Sequence, residues 1–408
     1  MWKRSPWVLL SLSLSAVAVA GDERTITLDE ALRRAQEQSP AGLEIALEVE
    51  RARARIGASG LWSNPEFALV REESAGVVER FANVTQTFPL TGRLALERDS
   101  ARRGHAAAEA AASQERVALR ARVQASFIDL LLAQERAGTV ETARSQMQEL
   151  VEALRARERE GESSGFDRMR AERELAEIAA DLALARGELA GAGSSLAALV
   201  NLPPDGLLAT GRLDAEEPLP KREEVLRRFE TRGDVVALDL EAEGSDLAAR
   251  AAHRRAVPDA ALTFGTKTTE AGNSEDRGPV LGIALSIPIL DRGQGQRGVA
   301  RAEAALARAR RAALARQVLG EIEAAYADTV SRRDAELAYG GLDDPEDLVR
   351  IARAAYDAGS MGILELLDAY RTVLAVRLRQ LELHAAARRA ETILDLAIGG
   401  NSPSAEAR

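Results

Sequence analysis

The sequence predicts a mostly helical protein with some β-structure: two tandem repeats, each a β-hairpin followed by a long coiled-coil helical hairpin. Three observations predict it. Ala31-Leu32-Arg33-Arg34 recurs as Val225-Leu226-Arg227-Arg228, and the signals that follow recur in the same order. Each half holds a stretch of apolar alternation with period two, then a nearly Pro-free run far longer than an ordinary helix. Aromatics are only 3% of the 408 residues, while Ala, Arg, Glu and Leu dominate, as in long helices packed through small contacts.

Residues 1–20 read as a signal peptide. Lys3 and Arg4 precede the apolar run Val8 to Val19, and Ala18-Val19-Ala20 supplies the small-x-small cleavage pattern. The run is shorter than the roughly 20 apolar residues of a membrane-spanning helix, and no second one appears. Any membrane the mature chain crosses must therefore be crossed by strands.

The first repeat is expected over 21–202. A helix enters through Ser39-Pro40, with Ser to cap it and Pro preset for its first turn, and runs to about Trp62 before Pro65. Strands are expected at 66–73 and 80–89, joined around Ser74-Ala75-Gly76. Pro89 and Gly92 turn the chain into helix 94–160, which returns as helix 166–200 through the tip turn at Gly165 and Phe166. The returning helix carries Leu175, Ile178, Leu182, Ala185, Leu189, Ala192, Leu196 and Leu199 at heptad spacing.

Residues 203–220 are rich in Pro and Gly and read as a linker. The second repeat, 221–398, opens with a helix from Gly233-Asp234 to about His253, stopped by Pro258. Strands follow at 259–269 and 279–290, with Glu270 to Arg277 as a polar turn. In the second strand Leu281, Ile283, Leu285 and Ile287 should face lipid, and Gly282, Ala284 and Ser286 the other side. Pro288 and Gly293 make the next strand-to-helix turn. Helices are expected at 298–339 and 346–358, with a break at Gly340 to Pro345, and at 363–397 after the tip turn at Gly362 and Ile363. Residues 399–408 read as a disordered tail.

Composition excludes much chemistry. Without Cys there are no disulfides, thiolate metal sites, cysteine nucleophiles or lipid-acylated N-terminal Cys. His105, His253 and His384 are scattered, as are the four Met, so no metal, cofactor or catalytic constellation is expected and the chain reads as a non-enzyme. A net charge of −10 opposes nucleic-acid binding. Gly293-Gln294-Gly295-Gln296-Arg297-Gly298 satisfies G-x-G-x-x-G, but no second parallel strand follows, so a dinucleotide site is not expected. Glu365 and Asp368, at i and i+3 after the second tip turn, are the one suggestive carboxylate pair.

Four strands cannot close a barrel, and an open sheet edge is forbidden in lipid, so a membrane-borne sheet must be shared among copies of the chain. Gln86-Thr87-Phe88-Pro89-Leu90-Thr91-Gly92-Arg93, its counterpart Ser286-Ile287-Pro288-Ile289-Leu290-Asp291-Arg292-Gly293, Tyr356-Asp357-Ala358-Gly359 and Leu366-Leu367-Asp368-Ala369 occur in matching order. In these motifs the mature chain resembles the TolC-type outer-membrane factor family, with the heavy-metal (cobalt–zinc–cadmium or copper) branch favoured.

The resemblance implies a homotrimer with a twelve-stranded outer-membrane β-barrel continuing into a periplasmic α-helical barrel. It also implies a periplasmic adaptor (membrane fusion protein) and an inner-membrane RND-type pump as partners. It places Glu365 and Asp368 at the periplasmic entrance and Tyr356 in a latch. Gly165, Phe166, Gly362 and Ile363 fall at tips that meet adaptor or pump. Met361 stands where the best-known member has Arg, so the resemblance carries no charged latch from that position. Only Trp62, Phe67, Phe81, Phe88 and Phe264 are available for an aromatic girdle. The competing readings are a duct for drugs or type I protein secretion, and a soluble periplasmic scaffold or adaptor.

Overall fold

The computed structural model describes residues 24–161, 164–213, 219–340 and 345–400. The signal-peptide reading, the tail beyond residue 400 and the residues expected to break the helix at 341–344 lie outside them. The chain opens with β1 (Arg24–Thr27), α1 (Leu28–Gln38) and α2 (Pro40–Ala58). Ser39 separates the two helices, and its hydroxyl accepts from the Gly42 amide at 3.0 Å to cap α2.

β2 (Glu66–Ser74) and β3 (Val77–Phe88) form the first hairpin, and β5 (Asp259–Ala271) and β6 (Ser274–Ser286) the second. Between them lie α3 (Arg93–Glu160), α4 (Gly165–Leu199), β4 (Leu207–Thr210), α5 (Arg222–Arg227), a 3-10 turn and α6 (Gly233–Arg254). After β6 come α7 (Gln294–Gly340), α8 (Glu346–Asp357) and α9 (Ile363–Ala397). The hairpins join edge to edge into one antiparallel sheet of order β2-β3-β5-β6. At about 1.5 Å per residue, the 68 residues of α3 extend roughly 100 Å away from it.

The strands differ from expectation at their outer ends. β3 begins at Val77 and β6 at Ser274, because the connections are two-residue turns. Ala75 and Gly76 both have positive φ (50° and 80°), as such turns require, and Gly272 has φ 61°. The charged residues between 270 and 277 are strand residues exposed to water rather than a turn. At the inner end β6 stops at Ser286, just before Pro288, which has no amide to donate to a ladder.

The expected linker also contains a strand. β4 pairs in parallel with β1, Ile26 beside Ala209, and buries Leu207 and Ala209. The Gln134 side chain clamps Ala209 from α3, accepting from its amide at 2.6 Å and donating to its carbonyl at 3.0 Å. Four residues flanked by Pro and Gly are too few for alternation to register.

Three apolar clusters lie along the helices. Far from the sheet, Val140 to Leu154 of α3, Ile178 and Leu182 of α4, Val349 of α8 and Ile363 to Val373 of α9 pack together. Midway, Leu119 to Leu131 of α3 meet β1, α1, β4 and the end of α4. Beside α5, Val318, Ile322 and Ala325 of α7 meet Leu394 and Ala397 of α9. All eight heptad positions of α4 are buried or half-buried.

Of the three glycines in G-x-G-x-x-G, only the first is demanded by the backbone. Gly293 has φ 75°, and a Cβ there would run into the Ala252 carbonyl of α6, whereas Gly295 and Gly298 face open space on α7. The motif is a strand-to-helix joint followed by 47 residues of helix, with no strand returning. Gly92, at φ 65°, makes the equivalent joint before α3. Gly293→Ala is expected to cost about 1–2 kcal/mol from the left-handed backbone alone. Gly295→Ala should instead stabilise by up to about 1 kcal/mol. Thermal melting of the two variants checks the contrast.

Candidate functional site

Two regions carry features that packing within the chain does not use. The first is the sheet. Its register places Phe67, Val84, Phe264 and Leu281 in one row across all four strands. Leu69, Ala82, Thr266 and Pro279 form the next row outward, and Leu262 with Ile283 and Ala260 with Leu285 continue the face inward. This face is apolar for about 27 Å along β6 and its continuation, from Pro279 to Ile287. Along β6 and its continuation it is open: Leu281 is 75% exposed, Ile283 77%, Leu285 60% and Ile287 67%.

The opposite face is small and polar. The Thr85 and Thr263 hydroxyls meet at 2.9 Å, and Gly282 lies against the Thr263 side chain. Lys267 pairs with Glu79 at 2.6 Å and sits 5.2 Å from the centre of the Phe81 ring. Phe81 therefore belongs to this polar face and drops out of the expected girdle. Trp62 and Phe88 do meet on the apolar side, edge to face at 5.6 Å, at the end nearest the helices. No helix among the described residues is long and apolar enough to cross a membrane. Among the described residues, both outer edges of the sheet, on β2 and β6, are unpaired.

The second region is the far tip of the helical hairpins. α3 ends at Gly161 with φ 78°, and Arg157 and Arg159 in its last turn complement the helix dipole. α4 begins beside it at Gly165, with exposed Phe166 one residue on. In the second half Gly359 has φ 72°, and the Ser360 amide reaches back to the Ala355 carbonyl at 3.0 Å, closing α8. α9 then starts after Gly362, anchored by buried Ile363 and Leu366.

Glu365 and Asp368 are both exposed on the first turns of α9. The Glu365 carboxylate folds back over Gly362 at the helix start. Tyr356 is half-buried against the tip cluster, with the Arg157 guanidinium 5.7 Å from its ring centre. Arg157 also binds the Asp357 carboxylate at 2.7 Å, so a charged link between the two hairpins exists. Its cation comes from the first hairpin, not from position 361.

Further ion pairs brace the tip. Arg168 bridges Glu158 at 2.6 Å and Glu172 at 2.7 Å, and Arg155 holds Glu172 at 2.8 Å. The Arg155 hydrogen bond, reinforced by Arg168, keeps the Glu172 carboxyl below its ordinary value. Buried Glu174 of α4 takes two hydrogen bonds from Arg371 of α9, one at 2.7 Å. The sequence reading missed Arg157, Glu174 and Arg371, and placed Asp357 in a motif without its partner. One signal existed: Glu174 and Arg371 stand 197 residues apart, the offset that relates Gly165 to Gly362, and their charges are opposite.

Among the described residues no group of His, Asp and Glu could hold a metal ion. With the sheet and the tip so arranged, comparison with known proteins defines the class. The chain matches the family described as outer membrane efflux protein twice, over residues 31–202 and 230–400. It belongs to that family.

Among individual relatives, it is 28% identical to the cobalt-zinc-cadmium resistance protein CzcC of Cupriavidus metallidurans over 92% of this chain and 90% of that one. Its fold matches CusC, whose structures concern folding and transmembrane channel formation, with a TM-score of 0.71, 20% identity and 92% coverage of each chain. It likewise matches the open state of the MtrE outer membrane channel of Neisseria gonorrhoeae, with a TM-score of 0.72, 21% identity and coverage of 91% and 89%.

Proposed function

We propose that the chain is the outer-membrane duct of a tripartite efflux system exporting heavy-metal cations. One observation carries the reading: a sheet with an exposed apolar belt on one face and both edges open among the described residues, joined to long helices of which α3 spans roughly 100 Å. An open edge cannot persist in hydrocarbon, so the β6 edge of one copy pairs with the β2 edge of the next. Three copies give twelve strands, with Leu281, Ile283, Leu285 and Ile287 toward lipid and the Thr85–Thr263–Gly282 side toward a wet lumen. The tandem halves let six helical hairpins continue the wall into the periplasm. The turns at Gly165, Phe166, Gly362 and Ile363 then meet a periplasmic adaptor and an inner-membrane RND-type pump.

The duct catalyses nothing and binds cargo weakly, so energy comes from the pump. The likeness to CzcC supports divalent metal cations as cargo. The exposed Glu365 and Asp368 would favour cations at the entrance. The test is a gene deletion with fractionation of the complemented strain. A heat-modifiable trimer in outer membranes and new sensitivity to cobalt, zinc or cadmium are expected. Sensitivity to organic drugs alone would remove the metal reading, and a soluble periplasmic protein would remove the duct.

A further inference from the structure

The register carries a second feature on the lipid side of the sheet, at its outer rim. Immediately beyond the row Leu69, Ala82, Thr266 and Pro279 lies the row Arg71, Arg80, Thr268 and Arg277. These positions share the parity of the apolar belt, so all three guanidinium groups leave the sheet on the belt side. The next row out is Glu73, Val78, Glu270 and Glu275.

Arg71 stands directly opposite Arg80, where like charges destabilise a strand pair unless anions are supplied. Glu73 pairs with Arg71 at 3.0 Å and Glu270 with Arg80, but Arg71, Glu73 and Arg80 are all at least half exposed. Exposed pairs of this kind hold their partners only weakly. A guanidinium has five donors, so a carboxylate on one edge leaves the other free. Arg277 has no ion pair among the described residues. Among the described residues no aromatic side chain stands in these two outer rows, whereas Trp62 and Phe88 mark the inner rim.

We propose that Arg71, Arg80 and Arg277 form a phosphate-binding row for the anionic headgroups of outer-leaflet lipid, anchoring the outer rim of the barrel where an aromatic girdle is missing. This rests on the reading of the sheet as membrane-embedded. Long arginine stems lie along the apolar belt while their heads reach the headgroup layer, and the planar fork suits phosphate bidentately. The Thr268 hydroxyl adds a neutral donor between Arg80 and Arg277.

The test uses the full-length trimer, purified in detergent and heated until it dissociates, with one additive at a time: diphosphoryl lipid A, its dephosphorylated form, or inorganic phosphate. Diphosphoryl lipid A is expected to raise the dissociation temperature by several degrees and the other two to leave it unchanged. R277Q, which breaks no ion pair, should lose part of the shift, and R71Q/R80Q/R277Q nearly all of it. R71K/R80K/R277K, which keeps the charge, should recover part. An equal shift with dephosphorylated lipid, or an undiminished shift in both Gln variants, overturns the phosphate row. An equal response to inorganic phosphate would make it a free-anion site and overturn the lipid assignment. Reconstitution of each variant into phosphatidylcholine vesicles separates this from the underlying reading. All should insert, and a wild-type protein that stays outside the vesicles refutes the membrane sheet itself and the row with it.

Discussion

Leu285→Arg is expected to abolish the assembled trimer, while Ala284→Arg, one residue away, leaves it largely intact. Leu285 lies on the apolar face, one row from the centre of a belt that runs from Pro279 to Ile287, beside Ala260 of β5, and is 60% exposed. A charged side chain there meets hydrocarbon at about 2–4 kcal/mol per copy near mid-bilayer. Three copies bring the cost to roughly 6–12 kcal/mol per trimer, comparable to the whole stability of a typical domain. Ala284 pairs with Ala261 on the opposite face, whose neighbours are threonines and glycine, so an arginine there can reach water. Heat-modifiability of outer-membrane extracts reads the outcome directly. Equal loss of trimer from both substitutions would show that the faces are assigned the wrong way round or that neither meets lipid.

That contrast was legible in the sequence because a strand's period of two sorts side chains without any long-range knowledge. The heptad seam of α4 was legible for the same reason: Ile178, Leu182 and Ala185 repeat at a spacing only a buried helix face explains. What escaped was either too short or too distant. β1 and β4 have four residues each, and the backbone of Ala209 is held by the Gln134 side chain, more than 70 positions away. Polarity misled at 270–277, where charged residues extend two strands into water instead of forming a turn. The Arg157–Asp357 pair spans 200 positions and does not follow the repeat offset, so no periodicity points to it. The three glycines of the false dinucleotide motif look alike in sequence. Only the position of the Ala252 carbonyl against Gly293 separates the one that matters.

At the opposite end of the molecule, replacing Glu365 by Gln and Asp368 by Asn together is expected to reduce the cation-over-anion permeability of the purified trimer by roughly tenfold. Two exposed carboxylates per copy, on adjacent turns of α9, converge on one narrow opening when three copies close around it. Glu365 folds back over its own helix start and Asp368 lies within Coulombic reach of Arg371, so part of their field is spent locally. Asp368→Asn alone should therefore have a smaller effect than the pair. Arg157→Gln should act differently. It removes an ion pair to Asp357 and a cation–π contact to Tyr356, each worth about 0.5–1 kcal/mol. These contacts join α3 to α8, so their loss frees the tips to separate: conductance should rise while selectivity stays near wild type. Single-channel recording in planar bilayers distinguishes the two effects. If the carboxylate pair can be neutralised with no change in selectivity or in block by multivalent cations, Glu365 and Asp368 do not line the entrance. Glu365 is then a first-turn acid that serves the dipole of α9, and Asp368 a surface charge beside Arg371.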